Sequence, residues 1–119
     1  MKNKIILSIG LLSLITTSCV QKTFKKTVVF TIDVSKVKDI KTVGIRGEKP
    51  LDWNYDTELS VMKKNSIYSI TKTFETGYKF VEVKFTVNGN YELANQPNRK
   101  VIFNSDGVTK YNTIFNVMK

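Results

Sequence analysis

The sequence predicts a small all-β domain, an antiparallel β-sandwich of about seven strands. Several stretches alternate apolar and polar residues with a period of two, which is typical of strands with one buried face. Turn-forming residues recur at roughly the eight- to twelve-residue spacing of sandwich strands. No apolar stripe of helical spacing occurs beyond the N-terminal segment. Together these patterns favour two packed sheets within one domain.

The first 26 residues predict a signal followed by a tether. Lys2 and Lys4 precede an apolar run at residues 5–15, which is shorter than the ~20 residues of a transmembrane helix. Small residues then precede the single cysteine, Cys19, and this arrangement resembles a bacterial lipoprotein signal. We therefore expect a signal peptide at 1–18, cleaved to leave a lipid on Cys19. The alternative is a plain secreted protein in which the cysteine follows the signal by chance.

This interpretation divides the chain into three parts and places it in the bacterial cell envelope. The lipid-anchored tether covers residues 19–26 and the β-sandwich domain covers residues 27–119. The lipid would hold the protein at the outer membrane or at the periplasmic face. A lipid on the cysteine also explains a lone thiol in an exported protein, where an odd free thiol risks intermolecular disulfides.

Alternation and turn residues define the strands. Asn65 suits a left-handed turn position between two strands, Asn88-Gly89 suits a tight hairpin, and Asp106-Gly107 turns the chain into the last strand. In the first strand the residues expected to face the core are Val28, Phe30, Ile32 and Val34. The expected strands cover residues 27–35, 42–46, 59–62, 67–74, 80–87, 91–93, 101–103 and 109–117.

The strand at residues 80–87 is expected to have two different faces. Its core face consists of Val81, Val83, Phe85 and Val87. The opposite face carries Glu82, Lys84 and Thr86, so Lys84 should point towards solvent. The following hairpin brings Tyr91 back beside this face.

The composition excludes most catalytic chemistry. The chain has no histidine and one cysteine, so histidine catalysis, Cys/His metal clusters and intrachain disulfides are excluded. Asp52, Asp56 and Glu58 fall in one short region, whereas the paired carboxyl groups of a glycosidase normally come from separate strands. We therefore expect no enzyme activity, no metal and no cofactor. The net charge of +9 comes from scattered lysines, and with an export signal it argues against nucleic acid as a partner.

Several short elements occur in an order that resembles starch-binding modules. They are Val43-Gly44-Ile45-Arg46-Gly47, Pro50-Leu51-Asp52-Trp53, a strand centred on Tyr68, Glu82-Val83-Lys84-Phe85, Tyr91-Glu92-Leu93 and Asn98-Arg99. The combination is similar to the family-20 starch-binding modules and to the glycogen-binding domains of branching enzymes and of a kinase regulatory subunit. The resemblance covers residues 28–103 and is carried by the combination, since each element alone is short.

This resemblance implies an immunoglobulin-like β-sandwich that binds an α-glucan without catalysis. Trp53 and Tyr91 would stack on successive glucose rings, while Lys84 and Asn98 would hydrogen-bond to sugar hydroxyls. An α-glucan offers apolar ring faces edged by hydroxyl groups, which suits this set of side chains. Two stacked rings and a few hydrogen bonds give roughly 4–6 kcal/mol, so we expect millimolar affinity that avidity must reinforce.

Each of these residues also has an ordinary structural interpretation. A lone tryptophan such as Trp53 is often a core residue, Tyr91 fits any strand, Lys84 fits a solvated surface and Asn98 fits a turn. The alternative function is a protein–protein interaction module, bound to other envelope proteins, that has lost sugar binding. A third is an accessory domain of a separately encoded enzyme. Exposure of Trp53 beside Lys84 and Tyr91 would favour the sugar site.

Overall fold

The computed structural model describes residues 22–118, which contain nine β-strands and no helix. The strands are β1 (Phe24–Asp33), β2 (Val43–Gly47), β3 (Thr57–Glu58), β4 (Ser60–Lys63), β5 (Ile67–Thr76), β6 (Phe80–Val87), β7 (Asn90–Tyr91), β8 (Arg99–Ile102) and β9 (Thr109–Ile114). Within this described part, accordingly, nothing helical is long and apolar enough to cross a membrane. The expected signal peptide and Cys19 lie outside the described residues.

The strands form two sheets. The first sheet has the order β4-β5-β1-β9, and the second has the order β3-β2-β6, with β7 and β8 both paired with the far edge of β6. All paired strands are antiparallel except β1 and β9, which are parallel. The predicted all-β sandwich is therefore confirmed, with one parallel pair where an antiparallel one was expected.

Alternating residues of β1 and β6 supply much of the core between the sheets. The ring of Phe30 in β1 meets the ring of Phe85 in β6 edge to face, with their centroids 6.2 Å apart. Such pairs add about 0.5–1.5 kcal/mol to the apolar area that they bury. The buried cluster consists of Val28, Phe30, Ile32, Val34, Val43, Ile45, Leu51, Leu59, Tyr68, Phe74, Val81, Val83, Phe85, Val87, Val101 and Phe103. The predicted inner faces of β1 and β6 are thus confirmed.

Several element boundaries differ from the prediction. β1 begins at Phe24, inside the expected tether, because its first residues pair with the end of β5, where Phe24 lies opposite Thr76. The strand expected at residues 59–62 is observed as β4 of the first sheet, and the two residues before Leu59 form an unexpected short strand, β3, in the second sheet. Leu59 between them is buried and donates its N–H to the carbonyl of Val43. The last strand ends at Ile114, before the expected end at residue 117.

Thr86 departs from the prediction because it is fully buried although it lies on the outer face of β6. Gly44 lies directly opposite it in β2, and a Cβ at Gly44 would be 2.7 Å from Thr86 Oγ1 and 2.9 Å from the Cβ of Asp56. Because glycine has no Cβ, Asp56 can approach the sheet closely there. The loop between β2 and β3 therefore covers this part of the outer face.

A buried ion pair joins β8 to the loop that precedes it. Arg99 Nε donates to Glu92 Oε2 at 2.6 Å and Arg99 Nη2 donates to Glu92 Oε1 at 2.7 Å, and both side chains are fully buried. Burial acts to lower the pKa of Arg99, but its hydrogen bonds to Glu92 and Tyr111 outweigh burial and raise that pKa above its ordinary value. The guanidinium is therefore charged at any physiological pH.

The remaining polar atoms of this ion pair bind three further parts of the chain. The backbone N–H groups of Phe85 and Asn116 donate to the Glu92 carboxylate, each at 3.0 Å. The guanidinium donates to Thr113 Oγ1 at 2.8 Å, to the carbonyl of Ile114 at 3.0 Å and to the carbonyl of Val117 at 2.9 Å. One buried pair thus connects β6 and β8 of the second sheet to the end of β9 in the first.

Replacing Glu92 by glutamine should destabilise the domain severely. The variant Glu92→Gln leaves the Arg99 charge buried without its counter-ion, and breaking one side of a buried pair costs about 3–5 kcal/mol. The free energy of unfolding can be measured in urea, with the fluorescence of Trp53 as the signal. The control Glu82→Gln removes a carboxylate from the outer face of β6 and should change stability by less than ~0.5 kcal/mol. A loss below ~1 kcal/mol for Glu92→Gln would contradict the prediction.

Candidate functional site

The four residues selected from the sequence line one open cleft on the outer face of the second sheet. Trp53 comes from the loop between β2 and β3, Lys84 from β6, Tyr91 from β7 and Asn98 from the loop before β8. The cleft has a volume of about 350 Å³. Its other lining residues are Glu92, Ala94 and Asn95. Residues from four separate segments of the chain therefore converge at one place.

The hairpin after β6 sets the relative positions of Lys84 and Tyr91. Asn88 and Gly89 adopt left-handed backbone conformations, with φ of 53° and 79°, which is typical of a two-residue hairpin turn. This turn pairs Tyr91 with Thr86 across the strands, two residues along from Lys84 on the same face. The Lys84 ammonium consequently lies 5.9 Å from the centre of the Tyr91 ring. Turn chemistry and strand alternation together account for this contact.

The loop between β7 and β8 forms one wall of the cleft. Leu93 and Asn95 are in the left-handed region, with φ of 52° and 63°, and Gln96 donates its N–H to the carbonyl of Leu93 at 3.0 Å. A left-handed conformation is costly for a leucine, so it needs surrounding contacts to hold it. Asn116 Oδ1 accepts the N–H of Leu93 at 2.7 Å, and Lys84 Nζ donates to the carbonyl of Gln96 at 3.1 Å. The wall is thereby fixed at both ends.

The opposite wall carries Trp53, which is half-buried. The preceding Asp52 accepts the N–H of Asn54 at 2.7 Å, which makes a tight turn around the tryptophan. The carbonyl of Trp53 accepts a hydrogen bond from Tyr91 Oη at 2.9 Å. Tyr91 is 45% exposed. Both aromatic side chains therefore remain partly accessible, and the hydroxyl of Tyr91 is hydrogen-bonded to the backbone of Trp53.

Arg46 and Asp56 complete the site, and sequence reasoning gave neither of them a role. Arg46 Nε donates to Asp56 Oδ1 at 2.7 Å, and its guanidinium carbon lies 5.0 Å from the centre of the Tyr91 ring. Arg46 Nη1 also donates to Tyr91 Oη at 3.4 Å and to the carbonyl of Trp53 at 3.5 Å. Hydrogen bonds to Asp56 and Tyr91 raise the pKa of Arg46 above its ordinary value. The arginine thus links Tyr91 to the backbone of Trp53.

The role of Arg46 could have been predicted only from the register between β2 and β6. Arg46 in β2 is directly opposite Lys84 in β6, so the two side chains share the outer face. Alternation within β6 was visible in the sequence, but the pairing of β2 with β6 was not. With that pairing known, Arg46 would have been placed beside Lys84.

The cleft combines two partly exposed rings with an ammonium group and a carboxamide, which suits a ligand with apolar faces and hydroxyl edges. Among the described residues, no cluster of cysteine, aspartate and glutamate could hold a metal ion. No protein-family model matches the sequence, and no curated protein matches it significantly. Fold and site together define a two-sheet β-sandwich with an aromatic cleft on the outer face of one sheet.

Removing Arg46 should loosen the Trp53 loop with little loss of stability. The Arg46–Asp56 pair is partly exposed, so Arg46→Ala should cost less than ~1 kcal/mol of unfolding free energy. Acrylamide quenching of Trp53, the single tryptophan, should increase because the guanidinium contact with its carbonyl is lost. Lys110→Ala, on the outer face of the other sheet, is the matched control. Equal quenching in both variants would show that Arg46 does not hold the loop.

Proposed function

We propose that the protein is a membrane-anchored lipoprotein of the bacterial cell envelope that binds an α-glucan without catalysis. The observation that carries this proposal is the convergence of Trp53, Lys84, Tyr91 and Asn98 in one cleft. These residues are the ones that the resemblance to starch-binding modules implies, carried over from short elements of the sequence. A sugar site requires these side chains to lie on one surface. Had they been scattered over the molecule, the proposal would have had no support.

The accessibility of the rings supports a stacking role. A fully buried Trp53 would leave no platform, but the side chain is half-buried and lies in the same cleft as the partly exposed Tyr91. The cleft volume of about 350 Å³ lies near the lower end of the ~300–1,000 Å³ of ligand pockets. An open groove of this size suits a short stretch of a polymer better than an enclosed small molecule.

Each polar residue has a definable part in the proposed site. Lys84 uses one N–H donor on the carbonyl of Gln96, and an ammonium group has three, so it retains capacity for sugar hydroxyls. Asn98 can both donate and accept, as hydroxyl groups do. Tyr91 Oη donates to the carbonyl of Trp53, so Tyr91 would contribute mainly its ring. We assign the sandwich to the immunoglobulin-like type that the resemblance implies.

Titration with oligosaccharides tests the proposal. The lipoprotein, kept in a detergent without a sugar head group, is titrated with maltoheptaose and with a β-glucan oligomer of equal length. Trp53 fluorescence should change saturably with the α-glucan alone, with a dissociation constant around ~1 mM. In calorimetry, Trp53→Ala and Tyr91→Ala should abolish the heat of binding. The control Tyr78→Ala removes an exposed aromatic that does not line the cleft and should bind normally.

Two outcomes would reject the sugar site. One is the absence of any response to either oligosaccharide up to ~10 mM, well above the affinity expected from stacking and hydrogen bonds. The other is binding that survives both Trp53→Ala and Tyr91→Ala. Either result would favour the protein–protein interaction module instead.

Lys84 should contribute specificity through hydrogen bonding. Lys84→Met keeps most of the aliphatic stem and removes the ammonium, and the loss of about 1 kcal/mol of net hydrogen bonding should weaken maltoheptaose binding about fivefold. The matched control is Lys100→Met, because Lys100 lies on β8 and does not line the cleft. An equal effect of both variants would indicate general electrostatics instead of a contact by Lys84.

A further inference from the structure

A second surface lies at the end of the sandwich where the chain enters β1. Three large apolar side chains are exposed there: Phe24 is 59% exposed, Tyr78 is 67% exposed and Ile102 is 67% exposed. They come from β1, from the loop between β5 and β6 and from β8, and they line one groove of about 480 Å³. A contiguous apolar surface of this kind usually marks an interaction site.

The apolar groove is bordered by positive charge. Lys26 and Lys79 line it, and among the described residues that line the groove none is acidic. Lys26 Nζ donates to the carbonyls of Asn104 and Ser105, each at 3.2 Å, which holds its stem along the groove. This combination of aromatic and aliphatic groups with lysines suits the boundary between lipid head groups and acyl chains.

The groove lies close in sequence to Cys19, the residue expected to carry the lipid. Cys19 precedes Phe24 by five residues, and five fully extended residues span at most ~17 Å. A lipid on Cys19 would therefore hold this end of the domain close to the bilayer. The basic residues Lys22 and Lys25 lie in and after the same connecting segment and add to the positive charge facing an anionic membrane.

We propose that the face formed by Phe24, Tyr78 and Ile102 docks on the surface of an anionic lipid bilayer. The inference rests on the proposed anchor at Cys19 and is independent of sugar binding. A lipid tether alone leaves the domain free to rotate. The docked face would add a second contact with the bilayer and would fix the orientation of the domain. Ile102 lies opposite Phe80 at the start of β6, whereas Thr86 and Tyr91 lie near its other end. Six residues of strand separate Phe80 from Thr86, about 20 Å, so docking leaves the aromatic cleft accessible.

Site-specific labelling of the full-length lipoprotein in vesicles tests this docking. The lipid would block the thiol of Cys19, so Ile102→Cys introduces the single reactive thiol for an environment-sensitive fluorophore. The matched control is Val61→Cys, which is similarly exposed at 58% but lies on β4, opposite Tyr68. Tyr68 is eight residues from Thr76, the β5 residue beside Phe24, which places the control ~26 Å from the groove end.

Vesicles of phosphatidylethanolamine and phosphatidylglycerol with nitroxide-labelled lipids serve as the membrane. We expect several-fold stronger quenching of the label at position 102 than at position 61. Adding Tyr78→Ser and Lys79→Glu to the Ile102→Cys protein should reduce this quenching towards the control value while the circular dichroism spectrum stays the same. Vesicles without phosphatidylglycerol should also give weaker quenching, because the lysines would lose their partner.

Equal, weak quenching at both positions would overturn the docking inference. Shielding of position 102 that increases with protein concentration in the absence of vesicles would also overturn it, and would identify a second copy of the chain as the occupant. Mass spectrometry of the same preparation reports whether Cys19 carries a lipid. An unmodified cysteine would overturn both the anchor and the docking, yet would leave the titration with maltoheptaose as a separate test of the cleft.

Discussion

The Glu92–Arg99 ion pair is the interaction on which both the sandwich and the cleft depend. A buried charge pair is costly to desolvate and is tolerated only when its remaining donors and acceptors are satisfied. Here the carboxylate accepts the backbone N–H of Phe85 in β6 and of Asn116, while the guanidinium donates to the carbonyls of Ile114 at the end of β9 and of Val117 after it. The loop between β7 and β8 runs from one member of the pair to the other. Its conformation, with a left-handed Leu93, is therefore set by a contact inside the core.

Strand alternation and turn chemistry were the parts of this fold that the sequence could predict. The inner faces of β1 and β6 and the Asn88-Gly89 hairpin follow from local rules, because both depend on residues adjacent in the chain. The ion pair did not follow from such rules. Alternation predicts that Glu92 lies on the opposite face from Tyr91, but it does not predict that Arg99 on β8 is its partner. An arginine is by default a surface residue. The pairing of β8 with β6 places Arg99 opposite Val83, on the core side.

In the candidate cleft, too, some residues could be predicted from local sequence and others only from the pairing of strands. Trp53, Lys84, Tyr91 and Asn98 could be selected from short elements in order, whereas Arg46 and Asp56 required knowledge of strand register and of the loop path. Arg46 does not line the cleft but supports it, since it contacts the ring of Tyr91 and the carbonyl of Trp53. Gly44 matters for a related reason, because the space above it admits Asp56. Residues that support a site thus leave weaker signals than those that line it.

The outer face of the second sheet connects the two proposed surfaces through a single strand. β6 begins at Phe80, whose opposite residue is Ile102 in the apolar groove, and it ends beside Tyr91 in the aromatic cleft. Between them Glu82 and Lys84 keep the strand polar, so the two surfaces stay distinct. A domain that rests on the bilayer by one end of β6 presents the other end away from it. Under the proposed function, weak binding at each cleft would then be multiplied, because many anchored copies held in one orientation could meet successive segments of the same polymer.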